Sequence, residues 1–229
     1  MRKILFAVAA FALAECYALK PEELVACPVS ENLRGHENVE WSIGYSYGMT
    51  DPVKLPRVLL VGDSICNGYQ AQVRELLANK MKVSYWVSSY CVTSPGYLRL
   101  LSFYLDEAEY DVIHFNNGLH SLTTPTEDWS KGLEAALKLI SLKQPKAKIV
   151  WTSSTALKNP SLTAKSKELN EAAKKVIAKF GDVPVDDLFA VTDPLDRETM
   201  WSDTFHFKAP VREMLAKKVA DFCLKAVGK

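Results

Sequence analysis

Neither sign of charge dominates this sequence. Its 229 residues include 28 Lys and Arg against 27 Asp and Glu, which leaves a formal net charge of +1. Such a chain has no field of one sign to hold a nucleic acid or an anionic membrane, so we expect no nucleic-acid partner. With 10 glycines, 11 prolines and no internal repeat, it is neither collagen-like nor of low complexity. The composition predicts one globular domain.

The sequence also lacks an apolar run long enough to cross a bilayer. Its longest apolar stretch covers residues 4–14 and follows two basic residues. A basic start and a short apolar segment are typical of a secretory signal. We therefore predict a signal peptide over residues 1–18, a secreted or periplasmic location, and no integral membrane segment after signal removal. Glu15 precedes Cys16, where a lipoprotein signal needs a small residue, and this argues against lipidation.

Cysteine is scarce, and its spacing does not suit a metal. The chain has five cysteines and four histidines; no two cysteines form a C-x-x-C pair, and the histidines are scattered. We therefore predict no metal site and no cofactor. In an exported protein the four cysteines beyond the signal could form disulfides or could remain buried thiols. These four are Cys27, Cys66, Cys91 and Cys223.

Residues 19–56 carry several prolines and glycines and show no sustained hydrophobic periodicity. We interpret them as an extended N-terminal arm. The aromatic residues Trp41, Tyr45 and Tyr47 of this arm could pack on the domain surface or line a sugar-sized cleft. The pattern becomes regular over residues 57–229, which we predict to be the folded domain.

Short β-branched runs alternate with amphipathic stretches throughout this domain. Alternation of this kind predicts a parallel sheet with helices on both faces. We expect a three-layer α/β/α, flavodoxin-like sandwich with a five-stranded parallel sheet, in which ligands bind beyond the carboxyl ends of the strands. The predicted strands cover residues 58–61, 83–87, 112–115, 149–152 and 183–185.

Three helices are predicted from apolar residues that recur at helical spacing. The first begins with Thr124, Pro125 and Glu127, which read as a capping box with proline at the first helical position. The second ends before Gly181, and the third occupies the C-terminus. His114 falls inside a predicted strand, and we interpret it as a buried core residue.

A G-D-S tripeptide follows the first predicted strand. Its serine, Ser64, lies where the strand turns into a helix N-terminus, beside free backbone donors and the positive end of a helix dipole. This position suits a nucleophile. Asp63 and Ser64 are also good helix-capping residues, so the tripeptide alone does not distinguish the two roles.

A D-x-x-H sequence formed by Asp203 and His206 lies just before the last predicted helix. A serine nucleophile needs a base to take its proton, and that base needs an acceptor on its second ring nitrogen. The D-x-x-H spacing can supply both groups from one loop. Because the loops after the first and fifth strands open on the same sheet edge, we expect both groups to meet Ser64.

These motifs resemble those of the SGNH, or GDSL, hydrolases. The sequence V-L-L-V-G-D-S-I-C-N-G-Y at 58–69 and D-T-F-H at 203–206 are similar to the first and last motif blocks of that family. The resemblance implies an α/β/α esterase. It also implies a triad in which Ser64 is the nucleophile, His206 the general base and Asp203 its orienting carboxylate.

The resemblance further implies an oxyanion hole formed by Ser64 and by groups from the two middle blocks. In the second block the candidate donor is Gly96, which can equally be a turn glycine after proline. In the third block His120 stands where the family has an asparagine, within a G-L-H sequence that resembles one bacterial branch. Asn116, at the end of the preceding strand, is a further candidate.

A disulfide is a separate prediction of this fold. The loops after the first two strands are neighbours, so Cys66 and Cys91 could be bridged. Two reduced, buried thiols are the alternative.

The resemblance implies a secreted serine esterase that hydrolyses short-chain esters. Export and the aromatic residues Trp41, Trp86 and Trp201 favour acetyl groups on carbohydrate over lipid chains. The expected partner is therefore a small ester or an acetylated polysaccharide. A lysophospholipase or thioesterase of the same family is the alternative enzyme, and a non-catalytic carbohydrate-binding protein is the alternative without catalysis.

Overall fold

The computed structural model describes residues 37–228 of the chain. The predicted signal peptide and the first part of the predicted arm, with Cys27, lie outside the described residues. The strands within 37–228 are β1 Ser42–Tyr45, β2 Arg57–Gly62, β3 Lys82–Ser88, β4 Val112–Phe115, β5 Lys148–Thr152 and β6 Val185–Asp186. They form one sheet in the order β1-β3-β2-β4-β5-β6. The β1 strand is antiparallel to β3, and all other neighbours are parallel.

The predicted α/β/α architecture is confirmed, but the sheet has six strands rather than five. The additional strand is β1, which lies within the predicted arm and pairs Ser42 with Ser88 and Tyr45 with Tyr85. It has only four residues, most of them exposed, so it carries no apolar pattern from which a strand could be predicted. The last strand also differs, because it pairs over Val185–Asp186 and not over 183–185.

Helices cover both faces of the sheet. They are α1 Ser64–Leu76, α2 Tyr97–Asp106, α3 Thr126–Lys143, α4 Pro160–Ile177, α5 Leu188–Thr192, α6 Arg197–Met200 and α7 Ala209–Ala226. The side chains of β2 point alternately to the two faces of the sheet, and each face has its own apolar core. Val58 and Leu60 belong to the core under α1 and α7. Leu59 and Val61 belong to the core under α2, α3 and α4.

The predicted helical faces are buried, although the start of α3 differs from the prediction. The helix begins at Thr126 with Pro125 as the N-cap residue, and no side chain caps it. Thr124 instead lies in the preceding turn, where its backbone N–H donates to the Ser121 carbonyl. The predicted capping box is therefore wrong, because the turn uses the backbone N–H of Thr124 that the box would need.

His114 is a buried core residue, as predicted. It is 1% exposed. Its Nε2 lies 3.0 Å from Asp186 Oδ2 and 2.8 Å from Thr152 Oγ1. These partners satisfy the imidazole inside the sheet, so His114 contributes to the packing of β4 against β5 and β6.

The sheet reverses its winding direction at β2. The chain goes from β2 through α1 to β3 on one side, and from β3 through α2 to β4 on the other. In open parallel sheets, such a switch point leaves a crevice at the carboxyl ends of the two central strands. Ser64 follows β2, so it lies at this crevice.

Candidate active site

Ser64 is the first residue of α1, and Asp63 is the cap of that helix. The Asp63 side chain accepts a hydrogen bond from the backbone N–H of Ile65 at 2.9 Å. Because Asp63 satisfies the capping requirement, the hydroxyl of Ser64 is not needed for it. The Ser64 side chain is therefore available for chemistry at the helix N-terminus.

Asp203 and His206 lie in a polar turn held between two buried aromatic residues. Trp201 and Phe207 form a β-bridge, their ring centroids are 4.8 Å apart, and they are 2% and 3% exposed. The turn is closed by the backbone N–H of Ser202, which donates to the His206 carbonyl at 2.8 Å. The buried pair anchors the turn to the core, so the polar side chains between its members project towards Ser64.

The structure brings the three predicted triad side chains together in one continuous chain of hydrogen bonds. Ser64 Oγ lies 2.8 Å from His206 Nε2. His206 Nδ1 lies 2.8 Å from Asp203 Oδ2. These distances join residues that are 142 positions apart in sequence. The arrangement can move a proton from the serine hydroxyl to an imidazole whose other nitrogen faces a carboxylate.

The carboxylate of Asp203 is held in its charged form. Burial would raise its pKa, but the backbone N–H groups of His206 and Phe205 and the imidazole of His206 outweigh burial, so the pKa of Asp203 is lowered. Both backbone bonds end on Oδ1 at 2.8 Å. Because Oδ1 is fixed by the turn, Oδ2 points at the ring of His206.

A cavity of about 380 Å³ lies beside Ser64 and His206. Polar side chains dominate its lining, and Ile65 and Phe207 are its apolar members. The site is open, since the His206 and Asp203 side chains are 44% and 54% exposed. A volume of this size admits a small ligand or one unit of a polymer.

Three of the four candidate oxyanion groups, Gly96, Asn116 and His120, are absent from the lining of this cavity. Gly96 is the N-cap residue of α2, with φ of 84°. That conformation is in the left-handed region, so the position requires glycine for the turn. Asn116 donates from Nδ2 to the Thr152 carbonyl at 2.7 Å and to Ser154 Oγ at 3.2 Å. Both amide hydrogens of Asn116 are thus used in joining β4 to β5, and we correct its proposed donor role.

His120 lies in a short 3₁₀ helix after β4 and contacts the N-terminal arm. Its Nδ1 is 2.7 Å from Glu37 Oε1. Its ring meets Trp41 edge-on at a centroid distance of 6.0 Å. Among the described residues, the buried Nε2 of His120 has no hydrogen-bond partner. With a carboxylate at Nδ1, a neutral ring carries its proton there, so Nε2 can donate only when the ring is protonated.

Sequence reasoning missed two residues that shape this edge of the sheet. Glu37 was not singled out, because its contact with His120 spans 83 positions and no local pattern signals it. Asn117 joins the loops after β3 and β4. Its Nδ2 donates to the Tyr90 carbonyl at 2.9 Å, and its Oδ1 accepts from the backbone N–H of Val92 at 3.2 Å. The N-N-G sequence after β4 was the available signal.

The predicted disulfide between Cys66 and Cys91 is not formed; both are free, buried thiols. Cys66 lies on α1 in one core, whereas Cys91 lies in the core on the other face of the sheet. Cys91 instead accepts a hydrogen bond from Ser121 Oγ at 3.0 Å. Burial raises the pKa of Cys66 to about 12, so it holds little thiolate at neutral pH.

Two of the three tryptophans that favoured a carbohydrate substrate are buried. Trp86 and Trp201 are 0% and 2% exposed, so they support the cores and cannot contact a substrate. Trp41 is half-buried and lies beside His120. Tyr45 and Tyr47 pack against each other and against Tyr85. These two aromatic residues of the arm therefore pack on the domain surface, which was one of the two predicted alternatives.

Within residues 37–228, no group of three or more His, Cys, Asp or Glu side chains is arranged to hold a metal ion. In the same part of the chain, no helix combines the length and apolar character that crossing a membrane requires.

Comparison with known proteins reveals relatives only at the level of structure. No family model and no curated protein matches the sequence. A carbohydrate esterase family 3 protein from Talaromyces cellulolyticus superimposes with a TM-score of 0.62 and 11% identity, over 76% of this chain and 99% of the other. A member of the lipolytic protein G-D-S-L family from Veillonella parvula superimposes with a TM-score of 0.59 and 18% identity, over 72% of this chain and 96% of the other. A carbohydrate esterase family 2 enzyme from Corynascus thermopiles superimposes with a TM-score of 0.59 and 14% identity, over 78% of this chain and 68% of the other. The chain thus has the α/β/α fold of the SGNH, or GDSL, hydrolases.

Proposed function

We propose that this protein is a serine ester hydrolase in which Ser64 is the nucleophile, His206 the general base and Asp203 the orienting carboxylate. The observation that carries the proposal is the hydrogen-bond chain from Ser64 Oγ to His206 Nε2 and from His206 Nδ1 to Asp203, with both distances 2.8 Å. The likeness to solved esterases supports it through the fold.

In the proposed reaction Ser64 Oγ attacks the ester carbonyl while His206 Nε2 takes the hydroxyl proton. The carbonyl oxygen becomes an oxyanion, and collapse of the tetrahedral intermediate breaks the bond to the alcohol, which receives the proton from His206. Water then attacks the acyl-serine, again with His206 as base, and releases the acid. Asp203 remains charged throughout and stabilises the imidazolium, consistent with its lowered pKa.

The oxyanion needs donors that are aimed at it before the reaction. The backbone N–H of Ser64 at the N-terminus of α1 is the first of these in our proposal, since the helix dipole also favours negative charge there. His120 is the second candidate and would donate from Nε2, with Glu37 at Nδ1. Gly96 is retained as a third candidate only through the family resemblance.

We propose short acyl groups, in particular acetyl groups on carbohydrate, as the substrate. The cavity beside Ser64 offers the apolar side chains of only Ile65 and Phe207, which leaves little surface for a long acyl chain. The openness of the site, with Asp203 and His206 about half exposed, suits a polymer. The predicted signal peptide supports a secreted or periplasmic location, where polysaccharides are encountered.

A panel of esters tests the function and its substrate class together. Purified protein should release acetate from acetylated glycans and hydrolyse a chromogenic acetate faster than the octanoate. Ser64→Ala should reduce both activities to background while the protein stays folded. Ser161→Ala is the matched control, because Ser161 is an exposed serine at the start of α4 and does not line the cavity that contains Ser64.

Three outcomes would count against this proposal. Activity that rises with acyl length would favour the lysophospholipase or thioesterase alternative. Activity of Ser64→Ala within a fewfold of wild type would refute Ser64 as nucleophile. Binding of glycans without any ester hydrolysis would favour the non-catalytic alternative.

A further inference from the structure

Arg212 is a charged residue on the wall of the cavity that contains Ser64 and His206. It is exposed and lies in the first turn of α7, directly after the turn that carries Asp203 and His206. Apart from His206, the other polar side chains of the lining, which include Asn67 and Ser202, carry no charge. A permanent positive charge therefore faces the space that a substrate would occupy.

The guanidinium of Arg212 has no protein partner within residues 37–228. Two other arginines in that part of the chain are engaged. Arg57 donates to the carbonyls of Tyr47 and Gly48 at 3.1 and 2.7 Å, and Arg197 donates to Asp193 at 2.8 Å. Five unused N–H donors on a planar group match a carboxylate or phosphate more closely than any neutral ligand.

Stability of α7 does not account for this arginine. A cation in the first turn of a helix is unfavourable to the helix dipole, and the first turn of α7 contains no acidic residue to offset it. The charge of Arg212 therefore opposes the helix dipole. A role in binding gives a reason for it.

The packing of the Arg212 stem keeps its charge near the nucleophile. A Cβ atom at Gly68 would lie 3.3 Å from Arg212 Cδ, so the methylene stem lies against the backbone of α1 at this glycine. Gly68 is one helical turn after Ser64, about 6 Å along the axis. The stem is thus supported on the same helix, and the same face of it, that presents the nucleophile.

We propose that Arg212 determines specificity by binding a carboxylate of the substrate beside the scissile ester, so that the preferred substrates are esters of acidic sugars. This inference rests on the proposed esterase function and refines it. The fork of the guanidinium can bind a carboxylate through two parallel hydrogen bonds, whereas a neutral sugar offers only single acceptors. A phosphate group can be bound by the guanidinium in the same way, so the test must distinguish a carboxylate from a phosphate.

The test compares substrates that differ only in charge. Acetylated methyl glycosides of glucuronic acid and of its carboxamide have the same shape and the same esters. The ratio of kcat/KM for acid over amide should exceed one in wild type and fall by about 10- to 100-fold in Arg212→Gln, chiefly through KM. Arg212→Lys should restore part of the ratio, since it returns the charge without the fork.

Arg99→Gln removes an exposed arginine from α2 on the opposite face of the sheet and should leave the ratio unchanged. A wild-type ratio near one, or a ratio that Arg212→Gln does not change, would overturn the proposal. A sugar phosphate ester preferred over the acid would identify phosphate as the anion and would overturn the acidic-sugar assignment.

A binding measurement separates this inference from the esterase proposal. If the wild-type protein hydrolyses neither these substrates nor a chromogenic acetate, the esterase proposal fails. Calorimetric titration of Ser64→Ala with the acid and the amide then decides about Arg212 without any turnover. If Ser64→Ala binds the acid more tightly than the amide, and the double variant Ser64→Ala, Arg212→Gln does not, the proposed site is supported. Equal binding of acid and amide by Ser64→Ala overturns it.

Discussion

Replacing Asp203 by Asn changes one atom at the site and should reverse the proton arrangement of His206. The two backbone N–H groups of Phe205 and His206 both donate to Oδ1 at 2.8 Å, so the amide oxygen of Asn must stay at that position. Its NH₂ group then replaces Oδ2, which faces His206 Nδ1. An N–H donor there favours Nδ1 as an acceptor, with the ring proton on Nε2. The amide oxygen, which keeps the position of Oδ1 at 3.0 Å from Nδ1, is the competing acceptor for the original tautomer. Ser64 would then face a donor instead of a base.

The expected loss of kcat is about 10²- to 10⁴-fold, equivalent to about 3 to 5 kcal/mol of transition-state stabilisation. The upper value is that of serine proteases, where the carboxylate is buried. Asp203 is 54% exposed, so water can replace part of its effect and the lower value becomes attainable. The KM should change little, because the substrate does not touch Asp203 in the proposed reaction.

Steady-state hydrolysis of a chromogenic acetate measures this loss. Asp196→Asn is the matched control, because Asp196 is a nearby exposed aspartate that caps α6 and accepts from the backbone N–H of Glu198. The control should retain wild-type kcat, and circular dichroism should show both variants folded. If Asp203→Asn kept kcat within threefold of wild type, the orienting role of Asp203 would be refuted.

Three further predictions concern the surroundings of the triad. His120→Ala should lower kcat by about 10²- to 10³-fold, and His120→Asn should recover part of this loss. Glu37→Gln should lower kcat only if His120 donates as an imidazolium. A kcat equal to that of wild type in all three variants would exclude the donor role. Mass mapping of the non-reduced protein should find Cys66 and Cys91 as thiols, and a bridged peptide would contradict this. The pKa of Asp203 is lowered from its ordinary value of 3.8. The stabilisation from its carboxylate is therefore fully present above pH 3.8 and is lost as the pH falls through the lowered pKa. The Tm difference between wild type and Asp203→Asn should therefore persist at pH 5, and its absence there would contradict the charged state.

The triad could be predicted because it depends on short motifs and on general rules for sheets. A buried strand followed by G-D-S places Ser64 at a helix start, and Asp203 and His206 share one turn. The carboxyl ends of parallel strands and the loops beyond them lie at one edge, so the two motifs were expected to meet without any knowledge of distances.

The remainder depends on contacts that no local pattern encodes. The β1 strand is short and exposed, and only its pairing with β3 defines it. The contact of Glu37 with His120 joins the arm to a distant loop. The error about Cys66 and Cys91 has the same origin, since loops that are neighbours along a sheet edge can still turn to opposite faces.

The central claim is that Ser64 is a nucleophile activated by His206, and covalent labelling tests it most directly. A small fluorophosphonate reacts with serines activated in this way and leaves a stable adduct that peptide mass mapping locates. The account predicts stoichiometric labelling of Ser64 and greatly slowed labelling in His206→Ala. An unlabelled Ser64, or an adduct on the neighbouring Ser202 of the same cavity, would contradict it.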